Sequence, residues 1–405
     1  MTHGFDLTRL DRIQPWMQGY VDARRFAGCS TLITQNGEEV WYGETGLRSV
    51  EDGTPWTRDT VARIYSMTKP VTTAALMMLI ERGLTHLDAS VGNFIPAFAE
   101  MQAMKPGATS LSDTEPCAPP TLHQLLTHTS GLTYPFNPGP LTEALNEADM
   151  LFRCNAPPLA GECDKLAGFP LAFPPGHKWE YSVGIDVIGR VVEVISGQSL
   201  DAFFAEHIFE PLGMTETGFA VRDDQLDRFA SLYTPLPGDA LELNAAKGGD
   251  TLRCVDVAEK SPFRKTTCMS GGGGLVGTID DYLKFTEMFR RGGELGGTRL
   301  LGRKTVDFMK QNHLAGDIAD MGPTSFAEQP MTGTGFGLGG GVITSPARAR
   351  TAGSVGDFSW GGIASTFFWI DPVHDLSVLF FTQLSPSSSY PARPQLKALV
   401  HGALV

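Results

Sequence analysis

The chain has 405 residues, 42% hydrophobic and 19% charged, with Lys+Arg 32 against Asp+Glu 45 and a net charge of −13. That supports a large core, in two domains or one elaborate one. Basic residues form no cluster beyond pairs such as Arg24-Arg25 and Arg290-Arg291, which argues against nucleic acid and anionic membrane as partners, since both need basic patches.

Met1 to Arg25 is polar and mixed in charge, without the basic-then-apolar layout of a secretory signal. The longest apolar runs, such as Ala74 to Ile80, are far too short to span a bilayer. A soluble cytoplasmic protein is the expectation. Thr8 to Arg25 reads as one amphipathic helix. Ser30 to Gln35 reads as a strand, Asn36-Gly37 as a hairpin turn, and Glu39 to Gly43 as the returning strand. Lys69 to Arg82 is an apolar-faced helix, with Pro70 tolerated in its first turn and Gly83 as its stop. Leu122 to Leu126 and Asp186 to Ser196 also have helical periodicity. Between them, Tyr134 to Lys178 is rich in Pro and Phe; it is a binding loop or lid, or a loop whose apolar residues simply pack it down. Thr278 opens a helix through Phe289. Ser365 to Ile370 and Leu376 to Thr382 read as strands around an Asp371-Pro372 turn, and Gln395 to Leu404 as a closing helix.

β-Rich ends thus flank a helical centre. The predicted architecture is α+β: an antiparallel sheet flanked by helices and built from both termini, with a mostly helical domain inserted. Residues 1–65 and 265–405 would form the sheet domain and 66–264 the helical one, with the Pro/Phe-rich loop at 134–178 and the active site between the two.

Six cysteines, at 29, 117, 154, 163, 254 and 268, show no C-x-x-C and no ligand-like spacing with histidine. Free buried thiols are expected; Cys154 and Cys163, in a loop-rich stretch, are the one pair whose setting invites a check for a disulfide. His123 and His128 lie on different sides of a helix, and no H-E-x-x-H occurs, so no metal site is expected. Gly272-x-Gly274-x-x-Gly277 and Gly335-x-Gly337-x-x-Gly340 match G-x-G-x-x-G but lack the preceding strand of a βαβ unit, so no nucleotide cofactor is expected either. The first run reads instead as backbone that comes close to a cleft. G-x-S-x-G is absent.

Ser66-Met67-Thr68-Lys69 carries the chemistry. Positions i and i+3 share a helix face, so the Lys69 amine can sit beside the Ser66 oxygen. Serine is a poor nucleophile until a base takes its proton or a cation favours its alkoxide. A helix N-terminus around Ser66 favours negative charge further. Two motifs follow in order: Tyr181-Ser182-Val183 ahead of a helix, and Trp360-Gly361-Gly362 ahead of the strand from Ser365.

The joint order of these motifs resembles the serine β-lactamase and penicillin-binding-protein superfamily. It is most similar to the class C-like branch with the family VIII carboxylesterases and lovastatin-type acyltransferases. The resemblance runs from about Gly28 onward, through Arg63 to Pro70, Leu125 to Leu132, Pro174 to Tyr181, Pro211 to Met214 and Gly271 to Val276. It implies Ser66 as the acyl-accepting nucleophile, Lys69 as its partner and Tyr181 as general base, alone or shared with Lys69. A phenol is a weak base near neutral pH unless a cation is beside it, which Lys69 would supply. The oxyanion would be held by the backbone N–H groups of Ser66 and Ile363, with Trp360, Gly361, Gly362 and Tyr134 lining the substrate cleft.

The chain departs from the superfamily at two places. Val183 stands where lactamases and peptidases have the Asn of Y-x-N, and Trp360 where they have the Lys of K-T-G. Both losses remove recognition of an anionic lactam or peptide terminus, and Trp-Gly-Gly is the family VIII pattern. The expected activity is hydrolysis of small-molecule carboxylic esters with small-to-medium acyl chains, through an acyl-Ser66 intermediate. The alternatives are an acyltransferase using the same intermediate, a weak β-lactamase or D-Ala-D-Ala peptidase, and a non-catalytic relative.

Overall fold

The computed structural model describes residues 4–238, 240, 251–327 and 329–405. From the N-terminal end come β1 (Gly28–Gln35), β2 (Glu38–Ser49) and β3 (Thr54–Pro55). From the C-terminal end come β4 (Thr334–Phe336), β5 (Gly341–Ile343), β6 (Phe358–Gly361), β7 (Phe367–Asp371) and β8 (Leu376–Thr382). They form one eight-stranded sheet in the order β4-β5-β6-β7-β8-β1-β2-β3, antiparallel throughout. The two ends meet where β1 runs against β8, with Leu32 opposite Leu379. Asn36 and Gly37, at φ 54° and 83°, make the two-residue turn between β1 and β2, and only such left-handed residues match the twist of the flanking strands.

The helices that frame this sheet and the site are α1 (Ile13–Asp22), α2 (Thr68–Glu81), α3 (Leu122–Leu126), α4 (Leu159–Leu166), α5 (Gly184–Ser196), α6 (Ile279–Arg290) and α7 (Ala392–His401). Side chains alternate across the central strands. Cys29, Ile33, Trp369, Val378 and Phe380 pack on one face with Ile13, Met17 and Tyr20 of α1 and Leu396 and Val400 of α7. Leu32, Phe368, Leu379 and Phe381 join the larger core on the other face, with Tyr282, Phe285 and Phe289 of α6. Every residue of α2 from Thr68 to Leu79 is buried, Lys69 and three threonines included, so the helix expected to bury one apolar face is enclosed on all sides; it packs against α5. Among the described residues no helix is long and apolar enough to cross a membrane.

The single helix expected over 8–25 is instead a turn at Leu7–Leu10 followed by α1. Pro15 is the reason. It lacks an N–H, and its ring clashes with the carbonyl four residues back, so it is tolerated only in a helix's first turn and a new helix starts just ahead of it. The Pro/Phe-rich segment carries short helices at Thr142–Glu147 and Leu159–Leu166. Its Tyr134, Phe152 and Phe173 are buried, so much of it is packed down. All six cysteines are free thiols, Cys154 and Cys163 included.

Just upstream of Ser66, Arg63 is fully buried. Its guanidinium lies 2.7 Å from the Asp256 carboxylate, donates to the Ala230 carbonyl at 2.6 Å and covers the Phe229 ring at 4.0 Å. Removing one member of a buried pair strands the other. Arg63→Met is therefore expected to cost about 3–5 kcal/mol of stability, read by urea unfolding; a loss under about 1 kcal/mol would place this pair with solvent-screened ones.

Candidate active site

Ser66 was expected on the first turn of a helix; it lies instead in a 3₁₀ turn, Tyr65–Met67, that runs directly into α2. Tyr65 adopts φ 42°, a conformation that costs a non-glycine residue about 1–3 kcal/mol and persists only where the surroundings enforce it. The Tyr65 ring is held edge-on against Phe263 at 5.9 Å. This turn leaves Ser66 half-buried with its hydroxyl in a cleft of about 820 Å³.

Lys69, one turn along, is fully buried beneath Ser66. Its Nζ donates to Ser66 Oγ at 3.2 Å, to Tyr134 Oη at 3.0 Å and to the Gly272 carbonyl at 2.7 Å. Tyr181 reaches the same place from the stretch ahead of α5. Its hydroxyl is 2.6 Å from Ser66 Oγ, and the Lys69 Nζ lies 4.6 Å from the centre of its ring. Three groups far apart in the chain thus meet on one oxygen. A hydroxyl with a phenol and an amine in direct contact can lose its proton to a neighbour without rearrangement.

The opposite wall is the end of β6. Trp360, Gly361, Gly362 and Ile363 all line the cleft, as do Tyr134 and Tyr181. A Cβ on Gly362 would fall 2.4 Å from the Ile64 carbonyl, so only glycine lets this strand end lie against the segment leading to Ser66. The N–H of Ile363, in the turn that follows, meets no acceptor among the described residues. Phe326 stacks on Trp360 at 6.0 Å and packs against Tyr181 at 4.9 Å. Phe136 stacks on Tyr134 at 4.7 Å. The walls near Ser66 are therefore largely aromatic.

Several participants escape sequence reasoning. Asp186, fully buried on α5, accepts from Ser270 Oγ at 2.5 Å and from Gly272 N–H at 2.9 Å. Burial raises its pKa, while Lys69, Ser270 and Gly272 pull it back. An acidic residue set between Ile185 and Val187 in the first turn of α5 was the available signal. His128 adopts φ 56° just past α3, and its ring lies 4.8 Å from that of Tyr181. The Ser182 N–H and hydroxyl lie 3.2 and 3.0 Å from His128 Nδ1. Burial and the nearby Lys69 hold its pKa well below the usual histidine range. The glycine run from Gly272, by contrast, was expected as backbone close to a cleft; it lines the cleft, and a Cβ on Gly272 would fall 2.3 Å from Asp186 Oδ2.

Among the described residues, Asp357, Asp371 and His401 are the one group whose donors converge as metal ligands would. None of them lines the cleft, and Lys397 Nζ sits 3.1 Å from Asp357 Oδ2 as the counter-charge.

The family model described as Beta-lactamase matches residues 13–402. The chain is 33% identical over 393 residues to an uncharacterized protein of Mycobacterium tuberculosis, covering 95% of this chain and 92% of that one. It is 32% identical over 367 residues to Esterase EstB of Burkholderia gladioli, covering 89% and 86%. Among solved structures, EstCE1, described as a hydrolase with promiscuous acyltransferase activity, superposes with a TM-score of 0.79 at 27% identity, covering 98% of both chains.

Proposed function

The chain belongs to the beta-lactamase family, and from that premise we propose that it is a serine hydrolase cleaving carboxylic esters of small-to-medium acyl chain through an acyl-Ser66 intermediate. The observation that carries the reading is the 2.6 Å contact between Tyr181 Oη and Ser66 Oγ, with Lys69 Nζ 3.2 Å from the same oxygen. Tyr181, as phenolate beside Lys69, takes the Ser66 proton as Oγ attacks the ester carbonyl. The N–H groups of Ser66 and Ile363 hold the oxyanion. Tyr181 returns the proton to the leaving alcohol, and water then repeats the sequence to release the acid.

Esters are favoured over lactams by what faces the cleft. Trp360 presents an aromatic surface where a lactam carboxylate would need a cation. Val183 is fully buried and supplies no amide. The name of the Burkholderia relative points the same way. A second reading, acyl transfer to an alcohol, is favoured by the promiscuous acyltransferase activity of EstCE1, and it uses the same acyl-enzyme.

The test is intact-mass spectrometry after brief exposure to a series of p-nitrophenyl esters. The expected result is one acyl adduct mapped to Ser66, forming fastest with short-to-medium chains. Turnover of a chromogenic cephalosporin comparable with that of the esters would overturn the substrate class. Adding an acceptor alcohol separates the two readings: hydrolysis dominating at every alcohol concentration excludes the transferase.

A further inference from the structure

We propose that Asp186 is a positioning residue that supplies the counter-charge of the Lys69 ammonium across the backbone of Gly272, reserving acceptance of the Ser66 proton for Tyr181. The proposal rests on the reading of Ser66 as acyl acceptor. Lys69 is fully buried and its three acceptors, Ser66 Oγ, Tyr134 Oη and the Gly272 carbonyl, are neutral groups. A buried ammonium without an anion nearby is costly and sheds its proton. Asp186 is the matching problem of opposite sign, fully buried with neutral donors. One residue joins them: Gly272 donates its N–H to Asp186 Oδ1 at 2.9 Å and, from the next peptide group, its carbonyl accepts from Lys69 at 2.7 Å.

The other titratable groups around the pair leave it isolated. Burial pushes Tyr134 well above the usual phenol range and His128 well below the usual histidine range. It raises Cys163 of α4 and Cys268 as well, keeping both as thiols. Glu162 of α4 is raised by burial, and Arg190 and Glu193, further along α5, pair with each other at 3.0 Å. Burial raises the Asp186 pKa, and Lys69, Ser270 and Gly272 hold it down. In the proposed arrangement Asp186 is the anion and Lys69 the cation of this cluster. A Lys69 that keeps its proton cannot act as base, and its charge stabilises a phenolate at Tyr181 instead. In acylation the Ser66 proton then goes to the Tyr181 oxygen as the new bond to the acyl carbon forms.

The test follows the rate at which a fluorophosphonate probe modifies Ser66, by intact mass, across pH. In that reaction Ser66 Oγ bonds to phosphorus, fluoride leaves and Tyr181 takes the proton. Asp186→Asn keeps the shape and removes the charge. It is expected to react at least tenfold more slowly at neutral pH, with the basic limb of its profile at least one pH unit lower, because the cation loses its stabilising anion. Ser270→Ala removes one donor from the carboxylate but not its charge, so it is expected to raise the acid limb and leave the basic limb in place. Asp186→Asn decides wherever it folds: both limbs unmoved, even with a slower rate, would mark a packing role and overturn the proposal. If it does not fold, Ser270→Ala decides, and an unmoved acid limb overturns it. A wild-type protein that the probe never modifies at Ser66 would instead overturn the nucleophile assignment.

Discussion

Alanine in place of Ser66 is expected to lower kcat/KM on p-nitrophenyl esters by about 10⁴-fold or more, the scale on which removing a nucleophile acts. The fold should be untouched. Ser66 is half-buried at the cleft; Lys69 Nζ keeps Tyr134 Oη and the Gly272 carbonyl, and Tyr181, whose hydroxyl loses its contact with Ser66, lines the cleft. No cavity opens in the core, so stability should stay within about 0.5 kcal/mol of wild type. The two readouts together make the result specific, since lost activity at an unchanged melting temperature points to chemistry. Activity within tenfold of wild type would remove Ser66 from the mechanism.

Phenylalanine at 181 is the second large effect. It deletes one oxygen and leaves the ring, which packs against Tyr134, Phe326, Trp360 and His128. Loss of a general base costs about 10²–10⁴-fold in rate, so acylation of Tyr181→Phe should slow by that factor. KM should change little, because the aromatic wall that meets substrate is intact. A burst experiment with a p-nitrophenyl ester separates acylation from deacylation, and both steps should slow if Tyr181 serves each in turn. An acylation rate within tenfold of wild type would move the base to Lys69, 3.2 Å from the same Ser66 oxygen, and would count against Asp186 as the group that keeps Lys69 charged.

The elements that could be read from the chain are those with strong local signals. The Asn-Gly turn and the strands on either side follow from two left-handed residues between alternating apolar runs, and Leu376–Thr382 is a strand over its expected length. The Thr278 cap is present, its hydroxyl accepting from Asp281 N–H at 3.3 Å. The short strands from Thr334 to Gly361 were not foreseen, because two- to four-residue segments rich in glycine carry too little periodicity to detect. Ser365, expected in a strand, lies in a left-handed turn at φ 65°, and the strand begins at Phe367. Asp186 and His128 were opaque for another reason. The role of each depends on a neighbour far off in the chain: Gly272 for one, Ser182 for the other.

Local chemistry settled what kinds of groups are present: a serine and a lysine one helical turn apart, a tyrosine ahead of an apolar helix, and a tryptophan with two glycines near the last strands. Periodicity settled that the two ends of the chain are β-rich. One antiparallel sheet built from both termini was legible as well; the folded chain added its seam, β1 against β8 with Leu32 opposite Leu379, and brought Ser66, Lys69 and Tyr181 to one oxygen. It also decided that a buried carboxylate and a buried amine meet the same residue, Gly272. Local signals act over a few residues, where backbone geometry is repetitive; convergence and charge pairing act across hundreds, and distance in the chain says nothing about them until the core has packed.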